Sequence, residues 1–260
     1  MQLEVIHTKP FSPSKGTVVL LHGVCFAAWY WEDNFQPWFT ANGYDVMAIS
    51  YRNHGESEKT GSLRWRTINE YIEDIEQIVS KIQGPVYLIG HSMGGFLVQH
   101  YLSKHATAKI KRAVLLCTVP TAGIWGATWQ IIKHYPFRFL QALITMSFKP
   151  LFSNEKRAKR LMFSPGFSNE KLKTIVSRMQ DESFRAYLDM MLLNLPYTNY
   201  IYTPLIVIGG KDDFMIPPAA IEKTAAKLHA EAFILKGGHN MNMEEGWEQV
   251  AEKIIEFFEK

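Results

Sequence analysis

Six short apolar runs punctuate the chain: Thr17–Leu21, Asp45–Ser50, Val86–Ile89, Ala113–Cys117, Leu205–Ile208 and Ala232–Leu235. Most are nearly continuous in apolar residues rather than alternating. That pattern suits strands buried on both faces of a mainly parallel sheet. Segments with helical character separate them: Trp31–Ala41, Ile68–Ile82, Gly95–His105, Pro218–His229 and Trp247–Phe258. Strand followed by helix, repeated, predicts βαβ units with right-handed crossovers and so an α/β fold.

One segment breaks the rhythm. The 83 residues from Thr121 to Thr203 contain no convincing strand. Leu172, Ile175, Val176 and Met179 fall at i, i+3, i+4 and i+7, and Phe184, Tyr187, Leu188, Met191, Leu192 and Leu195 continue the spacing. These are amphipathic helices. An insertion this long exceeds a crossover and predicts a helical cap at 121–203 on a core formed by 1–120 and 204–260.

The junction after Val86–Ile89 carries the first chemistry. Gly90-His91-Ser92-Met93-Gly94 places a serine between a strand and a helix, with glycine two residues before and two after. This G-x-S-x-G pattern is a nucleophile elbow: the sharp turn strains the serine backbone and leaves no room for flanking side chains. It holds the serine Oγ at the carboxyl end of the sheet, over the N-terminus of the next helix.

A serine hydroxyl needs a base. Among nine histidines, His239 in "LKGGHNM" follows the last strand and opens at the same sheet edge. A carboxylate should orient it, and "IGGKDDFMIPP" offers Asp212 and Asp213 after Leu205–Ile208. The tetrahedral oxyanion of acyl transfer needs two N–H donors. Met93, the residue after the serine, supplies one, and Val24 after His22-Gly23 is the candidate for the second. His54, in "YRNHGES", reads as a turn residue.

Composition narrows the partners. The net charge of +3 is too mild to imply nucleic acid, and the Lys156-Arg157-Lys159-Arg160 cluster reads as a solvated helix face. Cys25 and Cys117 lie in no metal-ligand or CxxC spacing, which suits reduced thiols. The first residues lack the apolar stretch of a signal peptide, and no run is long enough to span a membrane, so a cytoplasmic protein is expected. No phosphate loop, metal cluster or dinucleotide fingerprint calls for a cofactor.

Taken in order, "LLHGVCFAAWYW", "YRNHGES", "GHSMGG", "GGKDDFMIPP" and "GGHNM" resemble the α/β-hydrolase superfamily from Val18 to about Met241. Asn53 stands where that family usually has glycine in its R-G-H-G-x-S turn. The resemblance implies a mostly parallel eight-stranded sheet with helices on both faces and a cap after the sixth strand. It implies Ser92 as nucleophile, Asp213 as acid partner and His239 as base, with Val24 and Met93 as oxyanion donors. Asp213 fits the family's Gly-x-x-Asp spacing from Gly210, with Pro217 four residues on. The aromatic loop after His22-Gly23 and the "GWEQVA" ending are similar to small lipase- or lysophospholipase-like hydrolases.

The insertion is rich in large apolar side chains, among them Trp125, Trp129, Phe137, Phe148, Phe152 and Met190. With Met241 and Met243 they predict a lipophilic pocket over Ser92 and a small hydrophobic ester as substrate. The same triad suits a lactonase, a monoacylglycerol lipase or lysophospholipase, a carbon–carbon bond hydrolase or an acyltransferase. A small-molecule receptor on the same fold is the alternative outside enzymes.

Overall fold

The computed structural model describes residues 1–105 and 108–260. Seven strands form one sheet: β1 (Val5–Thr8), β2 (Thr17–Leu21), β3 (Asp45–Ile49), β4 (Val86–His91), β5 (Ile110–Leu116), β6 (Leu205–Gly210) and β7 (Glu231–Leu235). Their spatial order is β1-β3-β2-β4-β5-β6-β7. β1 runs antiparallel to β3 and the remaining pairs are parallel. The side chains of β2 and β6 are buried throughout, as continuous apolar runs require. β7 is an edge strand and is only partly covered.

The expected eight strands are therefore seven among the described residues. The stretch from β1 to β2 carries Pro10 and Pro13, which lack the N–H that a paired strand must donate. Consequently the helical insertion follows the fifth strand, not the sixth.

Helices α1 (Phe35–Ala41), α2 (Ile68–Val79), α3 (Met93–Lys104), α10 (Pro218–Lys227) and α11 (Trp247–Phe258) flank the sheet, and six further helices form the insertion between β5 and β6. The expected helix Trp31–Ala41 divides into a 3₁₀ turn, Ala28–Trp31, and α1. Pro37 enforces this division, because proline is tolerated only in the first helical turn. A capping box between Thr67 and Glu70 starts α2. α1 and α11 pack through Trp38 on Trp247 and Phe39 on Phe258.

The insertion comprises α4 (Trp125–His134), α5 (Pro136–Thr145), α6 (Lys149–Phe152), α7 (Glu155–Met162), α8 (Asn169–Arg178) and α9 (Phe184–Leu188), which runs into a π-helical turn, Asp189–Leu193. Among the described residues no helix is long and apolar enough to cross a membrane.

Candidate active site

β4 ends at His91 and α3 begins at Met93, so Ser92 alone makes the turn. Its φ of 52° and ψ of −114° lie in a region that L-residues rarely occupy. Backbone hydrogen bonds hold it there: the Ser92 N–H donates to Leu116 O at 3.0 Å, and Ser92 O accepts from Phe96 and Val119 N–H. The flanking glycines are sterically required. A Cβ on Gly90 would lie 2.4 Å from the Gly94 oxygen, and one on Gly94 would lie 2.2 Å from the Leu21 oxygen. Both obstacles are backbone and cannot swing aside.

The loop after β7 brings His239 to the serine. Its Nε2 lies 3.0 Å from Ser92 Oγ, and its Nδ1 lies 2.7 Å from Asp213 Oδ2. The carboxylate can only accept, so Nδ1 carries the proton and Nε2 is the acceptor facing the hydroxyl. All three residues are buried. The second oxygen of Asp213 accepts from the Met215 and Ile216 N–H groups, both at 2.8 Å. Asp212 is exposed, and its backbone N–H is spent on Gly237 O. Of the two aspartates, Asp213 is therefore the one in contact with His239.

Two residues near this chain of hydrogen bonds carry no signal in the sequence reading. His91 donates from Nε2 to the His239 carbonyl at 2.9 Å and stacks on Tyr30. Burial and the neighbouring His239 push the His91 imidazole well below its ordinary value, so it is a neutral prop for the His239 loop. Cys117 sits beneath Asp213 with its thiol pushed up by burial. Cys117, Asp213 and His239 offer atoms within 4.8 Å of one another. That set does not suit a metal ion, since the aspartate and histidine atoms are already committed to each other, to Ser92 and to backbone amides.

Just past β2, Gly23 lies close against Ser92: a Cβ there would lie 3.0 Å from Ser92 Cβ. Val24 follows in the same loop. Met93 is the first residue of α3, so its N–H has no acceptor within the helix. The structure joins Ser92, His239 and Asp213 by hydrogen bonds at the carboxyl ends of β4, β7 and β6, with Met93 next to Ser92 in the chain and Val24 next to Gly23.

A family profile described as the alpha/beta hydrolase fold matches residues 16–246. The chain belongs to this family. A proline iminopeptidase from Pestalotiopsis fici is 25% identical over 84% of this hydrolase and 83% of that protein. A non-heme chloroperoxidase from Streptomyces lividans is 32% identical over a shorter stretch, 44% of this chain and 41% of that one. An esterase from Exiguobacterium antarcticum has the same fold, with a TM-score of 0.76, 17% identity, and 99% of this chain and 96% of that chain covered.

The hydrolase also has a buried charge cluster beside Val24. Glu182, in the segment before α9, accepts from the Cys25 N–H at 3.2 Å and the Tyr71 hydroxyl at 3.1 Å, and pairs with His54 Nε2 at 3.1 Å. The Gln180 N–H donates to Cys25 O at 3.1 Å. The insertion therefore holds both backbone groups of Cys25, whose φ of 67° is left-handed. Burial opposes charge on the pair, yet His54 is raised and Glu182 lowered because each partner favours the charged form of the other. His54 does lie in a turn, but its ring is fully buried rather than solvated. His22 next to it is driven down to about 3 by burial and by His54, and donates from Nδ1 to Gly23 O.

Val24 and Glu182 line an apolar cavity walled by Ile124, Ile131, Phe148 and Met190, with Met215 at one side. The cavity has room for about 40 Å³ of water, far below the usual ligand pocket of several hundred. Ser92 and His239 are not in its wall. Trp125, Trp129 and Phe137 point to solvent instead of lining it, and Met241 is buried elsewhere, against Cys117.

Proposed function

We propose that this hydrolase cleaves carboxylic esters through an acyl-enzyme on Ser92. The observation that carries the reading is the buried Ser92–His239–Asp213 chain of hydrogen bonds, with its donor and acceptor order fixed by the carboxylate. His239 takes the Ser92 proton as Oγ attacks the carbonyl carbon. The N–H groups of Val24 and Met93 hold the oxyanion, and Gly23 allows that loop to lie against the nucleophile. His239 then gives its proton to the departing alkoxide. Water, deprotonated by His239, releases the acid and restores Ser92. Asp213 stabilises the imidazolium formed in each half-reaction.

Residues 121–203 act as the cap and 1–120 with 204–260 as the catalytic core. The cap contributes the apolar wall and, through Glu182 and Gln180, fixes the loop that presents Val24. An apolar wall favours a hydrophobic acyl or alcohol group. The cavity is small and reaches Val24 but not Ser92, so a short group that extends past Val24 is favoured.

The test is fluorophosphonate labelling together with a panel of chromogenic esters. Native protein gains one adduct, on Ser92. Ser92→Ala loses both the adduct and roughly 10⁴–10⁶-fold in kcat. Rates rise over the first added carbons, by up to about fourfold per CH₂ buried, and fall once the acyl chain outgrows the cavity. Labelling elsewhere, or turnover surviving in Ser92→Ala, refutes the reading.

A further inference from the structure

Helix α5 is unusual in what it leaves uncovered. Of its ten residues, Pro136–Thr145, only Ala142 is buried and Phe139 is partly so. Phe137 is 84% exposed, Leu140 52% and Ile144 73%. These three stand at i, i+3 and i+7 and so share one face. A helix this apolar is normally buried.

The adjoining face is cationic. Arg138, Gln141 and Thr145, each one residue further along, line a cleft of about 480 Å³ with Lys149 and Arg157 on its other side. Among the described residues no carboxylate lines that cleft; the nearby Asp181 is engaged by the Phe148 and Lys149 N–H groups. Arg157 is anchored by the Leu151 and Pro150 carbonyls, and burial and the neighbouring Arg138 depress its guanidinium. An anion in the cleft relieves that repulsion. The bias extends along the chain: between Thr121 and Phe167 there are seven Lys or Arg and one acid, Glu155, in a protein whose net charge is only +3.

We propose that α5 and this cleft form a docking surface for an anionic phospholipid bilayer. Lipid phosphate sits among Arg138, Lys149 and Arg157, and Phe137, Leu140 and Ile144 enter the acyl boundary. An exposed apolar stripe beside basic side chains is the pattern by which helices lie in a membrane interface. A second copy is the poorer occupant, because a two-fold contact would set the same cations against one another. The inference does not depend on the reaction at Ser92.

Flotation of the whole protein with vesicles tests it, comparing pure phosphatidylcholine with an equimolar phosphatidylcholine–phosphatidylglycerol mixture. Native protein should bind the anionic vesicles at least about tenfold more tightly at low salt, at about fivefold per basic side chain engaged. Added salt should weaken binding steeply. Phe137→Ser/Leu140→Ser/Ile144→Ser and, separately, Arg138→Gln/Lys149→Gln should each lose about tenfold or more, while melting temperature and turnover of a soluble ester stay native. Equal binding to both vesicles, no binding to either, or native binding by both variants overturns the proposal. So does inorganic phosphate raising the melting temperature without vesicle binding, which identifies a soluble-anion site. A dimer that the triple serine variant dissociates, without vesicle binding, identifies a contact between copies. If the multiple variants fail to fold, Leu140→Ser alone and the salt titration of native protein still decide.

Discussion

At the scale of single residues, Asp213 is bound on both sides. One oxygen holds His239 and the other caps the turn through Met215 and Ile216. Asp213→Asn can keep the amide-accepting oxygen while turning an N–H donor toward His239. The imidazole then puts its proton on Nε2 and can no longer accept from Ser92. The expected loss is up to about 10⁴ in kcat with little change in melting temperature. Asp212→Asn, on an exposed side chain, should change stability by less than about 0.5 kcal/mol and leave kcat intact. Steady-state kinetics and thermal melts of both variants check this. An inactive Asp212→Asn beside a normal Asp213→Asn would reverse the assignment.

Among elements, Glu182 ties the insertion to three segments of the core: the loop after β2 through Cys25, the turn after β3 through His54, and α2 through Tyr71. Glu182→Ala leaves His54 without its counter-charge in a buried site, at a cost of about 3–5 kcal/mol. Glu182→Gln/His54→Asn removes both charges and should regain much of that. Urea midpoints of the two variants measure it, and a double variant no more stable than Glu182→Ala would show that the charges do not act as a pair. Sequence pattern could not expose this contact, because His54 and Glu182 are 128 residues apart and meet only through the fold. The elbow was legible because its constraint is local: Gly90 and Gly94 flank the residue they serve. Strand ends, which continuous apolar runs mark well, point to Ser92, His239 and the Asp212–Asp213 pair, while the choice of Asp213 rests on the family resemblance. β1 escaped notice because VIHT is short and only partly buried. The large apolar side chains of 121–203 predicted a lipophilic pocket over Ser92, but composition does not say which helix face is inward, and on α5 the apolar stripe faces out.

Over the whole molecule, buried neutral histidines set the acid limit of the fold. His22 is driven down to about 3 and His100 to about 4, each chiefly by burial, and His91 lies well below its ordinary value. The Nε2 of His22 and the Nδ1 atoms of His91 and His100 face no hydrogen-bond partner among the described residues, as unprotonated rings in a dry interior would. In the unfolded chain each takes up a proton near pH ~6.5. Depressed folded values mean that the unfolded state binds more protons below that pH, so stability falls as pH falls. Each such histidine removes up to about 1.4 kcal/mol per pH unit until its folded value is reached. Three of them together remove up to about 4 kcal/mol per unit, against a total stability on the order of 5–15 kcal/mol. His54, raised by Glu182, contributes stability that is complete below about pH 6.5 and fades as pH climbs through its folded value, so it does not offset the acid loss. The lowered Glu182 keeps its contribution down to the usual carboxylate range and loses it only below. Urea unfolding should therefore show stability dropping steeply from pH 6 to pH 4, before carboxylates dominate. His100→Gln, whose amide can still donate to the Asn194 carbonyl, should shed about one third of that slope. A native profile flat between pH 6 and pH 5, or a His100→Gln profile parallel to the native one, would mean that these rings are hydrated and titrate normally.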